Sequence, residues 1–373
     1  MVSLEKLPLL RTYTQSKGQR HVLVIHGGAG TMVKEGSTPE QQGAYKASLR
    51  AALEAGYDIL RGGGEAMDAV VAAVTSMEVF VIQWLIKTSL QNELESSLML
   101  SKPPASNPEI PSSRRGLGVT LITRARNPSQ LVRALYLAPS AAPHTFLSGT
   151  TAESIGASLG AELVDPSYFF TEHRWREHRR GLGLPEEPLP RHVRPFPADD
   201  ETIPPLDQLP TGTVGAVALD VRGCIAALTS TGGRTNKLVG RIGDTPSMGS
   251  GFWAEDWGKS ERSWVQKVLS KVFKKKRYTR AVGVSGTGDG DYFIRLTTAA
   301  TIARRVQYLH EPLEKAAQTA VDDLLVNGGI GGVIALDDQG NIAMPLNCPG
   351  MYRGVIKEDG VPKTAIFADD VLD

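Results

Sequence analysis

The stretch 212–231 reads GTVGAVALDVRGCIAALTST, and it decides how the fold of this chain is interpreted. Small and β-branched residues run from Thr213 to Leu219, and a second such run starts at Ile225 after a turn that contains Gly223. Two runs of this kind on either side of a short turn predict an antiparallel hairpin. We therefore expect a β-hairpin that begins at Thr213.

A proline-rich segment, 181–212, stands directly before this hairpin. Its prolines crowd into a polar stretch that cannot hold regular structure, because proline fixes φ and has no N–H to donate. They are Pro185, Pro188, Pro190, Pro195, Pro197, Pro204, Pro205 and Pro210. We expect an exposed linker here, inside a single domain that spans 1–373.

The spacing of apolar residues elsewhere in the chain predicts the remaining helices and strands. Apolar spacing predicts helices over 39–60, from 66 onward, and over 127–137, 297–308 and 312–327. Apolar and β-branched runs predict strands over 21–25, 117–123, 281–284, 292–296, 332–336 and 342–346. The first strand is expected to end in a tight turn, because Gly-Gly-Ala-Gly follows at 27–30. The order of strand clusters and helix pairs predicts an α+β fold of antiparallel sheets covered by helices.

Composition excludes several classes of function. The chain has 373 residues, and its 41 Lys+Arg against 40 Asp+Glu leave a net charge of +1, so we expect no nucleic-acid partner. Two cysteines, Cys224 and Cys348, cannot form a disulfide framework, and neither lies in a CxxC pair typical of zinc or redox sites. The polar start, 1–20, lacks the apolar run of a secretory signal, so we expect a cytoplasmic protein.

One apolar stretch, 70–86, resembles a membrane span. It is shorter than the roughly 20 apolar residues that a spanning helix needs, and Glu78 lies in its middle. We expect a buried helix and no membrane partner.

Three polar, glycine-rich clusters in the second half, 229–233, 240–244 and 286–291, are candidates for a ligand site. Each alone is typical of a turn, but three together favour a site, because glycines at strand ends let backbone N–H groups approach a ligand. Arginine binds a carboxylate in fork geometry, and aspartate binds an ammonium group. Arg241 and Asp244 therefore suit a small zwitterionic molecule like an amino acid.

Thr213 is the candidate nucleophile. If the chain were cut before it, its own α-amine, with a pKa near 8, could act as the base that its hydroxyl needs. A threonine is also a common first residue of a strand, so its position alone leaves both interpretations open.

Six motifs stand in a fixed order along the chain. They are HGGAG at 26–30, GTVGAVALD at 212–220, TSTGGRTNK at 229–237, GRIGDTP at 240–246, GTGDG at 286–290 and GMYRG at 350–354. These motifs resemble those of the plant-type L-asparaginase/isoaspartyl peptidase family, a group of N-terminal nucleophile hydrolases. The similarity covers most of 21–78, weaker stretches of 92–165, and nearly all of 211–253 and 281–355.

The resemblance implies a four-layer αββα sandwich, made as a precursor that cleaves itself before its nucleophile. The cut would fall between Gly212 and Thr213, giving an α chain of 1–212 and a β chain of 213–373. By matching position, Thr213 would be the nucleophile and Thr231 would orient it. A dimer of αβ units, a heterotetramer, is the assembly that the resemblance implies.

The same resemblance assigns the substrate-binding residues. Arg241 and Asp244 would hold the α-carboxylate and α-amine of asparagine or a β-aspartyl dipeptide, and Gly290 would line the same site. Thr287, through its hydroxyl, and Gly288, through its N–H, would form the oxyanion hole. No cofactor is required for this chemistry, and a β-aspartyl-enzyme would be hydrolysed by water.

Two segments depart from the family pattern. Residues 79–90 replace the Asn-Ala-Gly loop that lies near the nucleophile and helps to hold a structural sodium ion in the family, so no metal ligand is assigned. Residues 257–280 form an insertion rich in lysine, interpreted as a solvated basic helix. His173, His178 and His192 lack metal-ligand spacing and are expected to face solvent, and the run 174–180 is expected to be a mobile polar segment.

Three functional interpretations stay open at this point. The first is an autoprocessed threonine amidohydrolase that cleaves L-asparagine and β-aspartyl dipeptides. The second is a hydrolase like glycosylasparaginase, which shares the nucleophile and the Arg/Asp pair. The third is an uncleaved, catalytically silent homologue, because 79–90 replaces the loop near the nucleophile.

Overall fold

The computed structural model describes residues 20–30, 32, 34–81, 92–170, 172–185, 187, 212–258 and 279–373. Several predictions fall largely outside these residues. The linker is described only at 181–185, 187 and 212, the segment 79–90 only as far as 81, and the insertion only at 257–258 and 279–280.

The described residues contain twelve strands and eight α-helices. The strands are β1 Val22–Gly30, β2 Leu94–Leu100, β3 Gly116–Ile122, β4 Phe146–Ser148, β5 Thr213–Leu219, β6 Ile225–Thr231, β7 Phe252–Asp256, β8 Ala281–Gly288, β9 Gly331–Asp337, β10 Ile342–Ala343, β11 Gly350–Ile356 and β12 Lys363–Phe367. The helices are α1 Pro39–Arg61, α2 Ala66–Val81, α3 Pro128–Leu137, α4 Gly149–Ser158, α5 Glu172–Gly181, α6 Gly290–Leu296, α7 Thr298–Leu309 and α8 Leu313–Val326.

The strands form two sheets. The larger has the order β12-β11-β1-β5-β6-β2-β3-β4, and the smaller has the order β10-β9-β8-β7. Neighbouring strands run antiparallel throughout both sheets, with β3 and β4 as the parallel exception. This mixed helix-and-sheet architecture agrees with the predicted α+β class.

Apolar side chains bury three interfaces. One cluster lies between helices α1–α3 and the larger sheet, the second between strands of the two sheets, and the third between the smaller sheet and helices α7 and α8. Fully buried members of the three clusters, in that order, are Leu53 and Val70, Val217 and Ile334, and Val284 and Val321. Strands β1, β5 and β6 contribute to clusters on both of their faces, which explains their nearly uninterrupted apolar sequences.

The predicted hairpin is confirmed as β5 and β6, which pair in register from Thr213↔Thr231 to Leu219↔Ile225. Its turn is closed by Asp220, whose Oδ1 accepts hydrogen bonds from the backbone N–H of Arg222 and Cys224, each at 2.9 Å. An aspartate that bonds its own turn in this way fixes the loop length, and the loop length fixes the register of the strands.

Two predicted strands have different structures. The first strand does not stop in a tight turn after Ile25 but continues to Gly30, and its pairing with β11 shifts between His26 and Ala29, as in a β-bulge. Residues 292–296 are helical, not extended, and belong to α6. The first error arises because glycines were taken as a turn although a strand can continue through them, and the second because a short apolar run fits a strand or a helix equally well.

Helix α5 overturns the prediction of a mobile polar segment at 174–180. Trp175 and His178 are buried, and the His178 Nδ1 forms a hydrogen bond with the Asn236 Oδ1. His178 therefore does not face solvent as expected, because its helix packs against the residues that follow β6. His192 lies outside the described residues.

Glu78 joins three elements near the end of α2. Its carboxylate accepts hydrogen bonds from the Ser129 N–H at 2.9 Å, the Ser129 hydroxyl at 2.7 Å, the Asn127 amide at 3.1 Å and the Ser230 hydroxyl at 2.7 Å. Burial raises the pKa of this carboxyl, and the four donors partly oppose that effect.

Within the part of the chain that the structure describes, no helix has the length and apolarity needed to cross a bilayer.

Removing the Glu78 carboxylate should destabilise the fold. Glu78→Ala leaves buried donors of α3 and β6 without an acceptor, so we expect a loss of about 3 kcal/mol in the free energy of unfolding. Glu78→Gln keeps the side-chain volume and one acceptor oxygen, and should cost about 1 kcal/mol. Urea unfolding in a Thr213→Ala background measures both, and equal losses would contradict the structural role given to these bonds.

Candidate active site

The start of β5 places two threonine hydroxyls in contact. The Thr213 hydroxyl donates to the Thr231 Oγ1 at 3.0 Å, and the Thr231 hydroxyl lies 3.4 Å from the Gly212 carbonyl oxygen as a donor. The backbone N–H of Gly233 donates to the same Thr231 oxygen at 3.0 Å. The chain of hydroxyls thus leads from Thr213 back to the carbonyl of its own preceding peptide bond.

Strand register produces this contact. Thr213 pairs with Thr231 across β5 and β6, and Thr231 pairs with Glu95 across β6 and β2. Directly paired residues point to the same face of a sheet, so the three side chains form one row. The row ends at the Glu95 carboxylate, which accepts a hydrogen bond from the Gly243 N–H at 3.0 Å.

Gly243 belongs to the 232–251 loop, which connects β6 to β7 and carries Arg241 and Asp244. A Cβ placed on Gly290 would lie 2.3 Å from the Asp244 Oδ1 and 3.1 Å from an Arg241 guanidinium nitrogen. These two charged groups therefore approach each other across Gly290, where no larger residue fits. The structure brings together the guanidinium, the carboxylate and the glycine that the sequence assigned to substrate binding.

Asp244 is buried, and its Oδ2 has no hydrogen-bond partner among the described residues. Burial, with a smaller contribution from the nearby Glu95 carboxylate, raises the pKa of this carboxyl to about 7, although a bond from its own backbone N–H and the charge of Arg241 oppose the shift. A buried carboxylate oxygen without a donor is costly, so the Asp244 Oδ2 favours an external cation that could supply one.

Arg241 forms an ion pair with an exposed residue, Asp291. Its guanidinium forms an ion pair of 3.0 Å with Asp291, whose side chain is 58% exposed. Ion pairs with an exposed member contribute little free energy, so another carboxylate could replace Asp291 at small cost.

The end of β8 carries the two residues predicted for the oxyanion hole. The Thr287 hydroxyl oxygen accepts a hydrogen bond from the Ala29 N–H at 3.3 Å, which leaves its own proton for another oxygen. Gly288 has φ +139°, and a Cβ there would lie 2.3 Å from the Ile330 carbonyl oxygen. Only glycine meets both conditions.

A second polar chain joins strands β1, β8 and β6. The His26 Nε2 forms a 2.8 Å hydrogen bond with the Ser285 hydroxyl, which forms a 2.6 Å bond with the Thr229 hydroxyl. Burial lowers the pKa of His26 to about 3, and the Thr213 backbone opposes that shift slightly. The imidazole is therefore neutral at physiological pH and connects the two sheets rather than supplying charge.

No group of three or more His, Cys, Asp or Glu side chains that could hold a metal ion occurs in the described residues. The segment in which the family would hold sodium, 79–90, lies almost wholly outside them.

Comparison with known proteins identifies the family. A family model described as Asparaginase matches residues 19–84, 86–258 and 277–366. The chain belongs to the asparaginase family. The match leaves 259–276 uncovered, inside the insertion predicted for 257–280, whereas 79–90 is matched except for residue 85. The resemblance inferred from the six sequence motifs is thereby confirmed.

Full-length relatives support this membership. The chain is 32% identical over 355 residues to the isoaspartyl peptidase of Escherichia coli strain K12, covering 93% of this chain and 96% of that protein. It is 32% identical over 355 residues to the isoaspartyl peptidase of Salmonella typhimurium, covering 93% and 99%. The isoaspartyl peptidase/L-asparaginase of Xenopus laevis is 28% identical over 339 residues, covering 91% and 93%. The alignments thus span nearly the whole of each asparaginase-family chain.

Sequence reasoning did not assign functional roles to Glu93, Glu95 and Lys237. The alternating acidic residues of Glu93-Leu-Glu95 stand just before an apolar strand, and that was the available signal. The contacts of Glu93 and Glu95 with loop residues 147 and 148 positions further along could not be seen in the sequence, because such long-range contacts depend on the assembled sheet.

The raised pKa of Asp244 makes a testable prediction for stability. The folded chain holds a proton on Asp244 up to about pH 7 while the unfolded chain loses it near 3.8, so stability falls as pH rises between these values. Asp244→Asn mimics the protonated form. It should therefore stabilise a Thr213→Ala chain by about 2 kcal/mol more at pH 8 than at pH 5, measured by urea unfolding.

The matched control is Asp291→Asn, which removes an exposed carboxylate from the same cluster. We expect its effect to differ between the two pH values by less than about 0.5 kcal/mol. An Asp244→Asn effect that is equal at pH 5 and pH 8 would contradict the raised pKa.

Proposed function

We propose that this protein is an autoprocessed threonine amidohydrolase that cleaves L-asparagine and β-aspartyl dipeptides. The observation that carries the proposal is the chain of hydroxyls from Thr213 through Thr231 to the Gly212 carbonyl, at the first residue of β5. The bacterial relatives are named isoaspartyl peptidases, and the Xenopus relative is named isoaspartyl peptidase/L-asparaginase. These names support the substrate class.

Self-cleavage uses the geometry of the unbroken chain. The Thr213 Oγ1 attacks the Gly212 carbonyl carbon, and its proton passes towards Thr231, to which it already donates. The C–N bond then breaks, and the departing nitrogen of Thr213 takes up a proton. Water hydrolyses the resulting ester, which releases the Gly212 carboxylate and leaves Thr213 with a free α-amine and hydroxyl.

Hydrolysis of substrate repeats the attack on a different carbonyl. The neutral α-amine of Thr213 accepts the proton of its hydroxyl as the oxygen attacks the side-chain amide carbon of the substrate. Thr287 and Gly288 stabilise the negative oxygen of the tetrahedral intermediate. The leaving amine departs with the proton, and water then hydrolyses the β-aspartyl ester.

Arg241 and Asp244 explain the choice of an aspartyl substrate. The guanidinium exchanges the exposed Asp291 for the α-carboxylate, and the buried Oδ2 of Asp244 gains an ammonium donor. Binding at these two groups fixes the β-carbonyl relative to the row that contains Thr213, and such fixed geometry lowers the entropic cost of reaction.

Further features belong to the same proposal. The two sheets with their three buried apolar interfaces support the four-layer αββα sandwich, with α and β chains of 1–212 and 213–373. We also propose a dimer of αβ units in the cytoplasm and a reaction that needs no cofactor. A structural sodium ion would depend on the segment 79–90.

Self-cleavage is the first direct test of this proposal. Purified protein held at neutral pH should yield a fragment that begins Thr-Val-Gly-Ala, detected by intact mass and N-terminal sequencing. Thr213→Ala should abolish cleavage, and Thr231→Val should slow it by about 100-fold, because it removes the group that receives the proton. Wild-type protein that stays whole would favour the uncleaved, silent homologue.

The second test concerns pH and substrate. With L-asparagine, kcat/KM should fall by about 100-fold per pH unit well below pH 7, because protonation of both Asp244 and the Thr213 α-amine removes activity. Succinamic acid has the amide and carboxylate of asparagine but no α-amine. Its kcat/KM should fall by about tenfold per unit, since only the Thr213 amine then matters. Identical slopes for the two substrates would contradict the role of Asp244.

A further inference from the structure

Lys237 is a buried lysine in the 232–251 loop, and its ammonium group holds the backbone at Arg241. Its side chain is 2% exposed, and its Nζ donates to the Arg241 carbonyl oxygen at 2.6 Å. The same nitrogen forms an ion pair of 3.4 Å with the Glu93 carboxylate, which is also buried. A buried ion pair costs desolvation free energy unless further hydrogen bonds offset it. Here one such bond goes to the backbone of Arg241, which indicates a role in holding that residue.

Glu93, the ion-pair partner of Lys237, binds the backbone of the neighbouring residue, Gly240. Its carboxylate accepts a hydrogen bond from the Gly240 N–H at 3.1 Å, directly before Arg241. The backbone on both sides of the Gly240–Arg241 peptide is therefore fixed by one ion pair, whose acidic member lies just before strand β2.

The hydrocarbon stem of Lys237 supports a different part of the site. A Cβ placed on Gly233 would lie 3.2 to 3.4 Å from the Lys237 Cε, Cδ and Nζ. Gly233 has φ +84°, a conformation that glycine adopts without strain, and its N–H donates to the Thr231 hydroxyl at 3.0 Å. The stem thus packs against the residue that orients Thr231, which in turn contacts Thr213.

We propose that Lys237 is a positioning residue that joins the two halves of the active site. Its ammonium group, with Glu93, sets the backbone from which Arg241 reaches the substrate carboxylate, and its stem sets Gly233 and thereby Thr231. The proposal rests on the proposed function for what Arg241 and Thr213 do. A purely structural ion pair would instead affect both halves together.

Two substitutions separate the effect of the Lys237 ammonium group from the effect of its hydrocarbon stem. Lys237→Met removes the ammonium group but keeps an unbranched stem of nearly the same length. For L-asparagine it should raise KM about tenfold or more, while kcat and the self-cleavage rate stay within about threefold of wild type. Lys237→Ala also removes the stem, and should in addition slow self-cleavage and lower kcat by about tenfold or more.

Self-cleavage gives a readout that does not depend on Arg241, because the precursor cleaves without a bound substrate. If Lys237→Met slows self-cleavage as much as Lys237→Ala does, the ammonium group and the stem do not have separate roles and the proposal fails. If neither variant changes KM by more than about threefold, the role at Arg241 is wrong.

Lys237→Met removes the ammonium group that pairs with the buried Glu93 carboxylate, so a second variant, which removes that carboxylate's charge too, tests whether misfolding explains the result. The double variant Lys237→Met/Glu93→Gln has no unpaired buried charge and retains an acceptor for Gly240. It should fold and should show the same raised KM as Lys237→Met, since neither carries the ammonium group. A folded double variant with the KM of wild type would overturn the proposal.

Glu153→Gln is the matched control. The Glu153 carboxylate is also buried and also holds a loop by its backbone, accepting from the N–H of Thr123 at 2.8 Å and of Ala125 at 3.1 Å. That loop carries no residue of the site, so KM and self-cleavage should stay within about twofold of wild type. Wild-type protein that neither cleaves itself nor hydrolyses asparagine would refute the proposed function instead, and that outcome is distinct from a failure of the role given to Lys237.

Discussion

The register of strands β5 and β6 is the constraint on which the site depends. Thr213 meets Thr231 because these residues are directly paired, and the pairing continues to Glu95 on β2. Since side chains alternate between faces, a slip of one residue would send Thr231 to the opposite face and break the row. The turn bonds of Asp220 and the apolar packing on both faces of the hairpin therefore serve the chemistry as much as the fold.

Much of this arrangement could be predicted from local sequence. The hairpin, helices α1, α3, α7 and α8, and the class of fold followed from periodicity, because each run is long or bounded by glycine and proline. The side-chain charges of Arg241 and Asp244 were enough to indicate a zwitterionic ligand. Short ambiguous runs were harder: 292–296 forms a helix, and β1 continues through its glycines to Gly30.

The rest of the site could not be predicted because it depends on contacts between distant segments. Nothing in the local sequence of Glu93 or Glu95 indicates that their carboxylates bind the backbone of a loop far along the chain. His178 was expected to face solvent because it lacks metal-ligand spacing, yet its helix packs against Asn236. Burial of a polar residue is a property of the assembled fold, and composition alone does not reveal it.

The electrostatics of the site explain why the 232–251 loop needs several hydrogen bonds to its backbone. The 232–251 loop contains no helix or strand, yet it must hold a guanidinium close to a buried carboxylate, one oxygen of which has no partner among the described residues. In the absence of ligand, burial of Asp244 opposes folding increasingly as pH rises from 3.8 to about 7, so a loosely held loop would relax by moving that carboxylate into water. The backbone bonds from Glu93, Glu95 and Lys237 prevent this relaxation. In the proposed reaction, the free energy that they retain would be available to a substrate ammonium group and would contribute to selectivity.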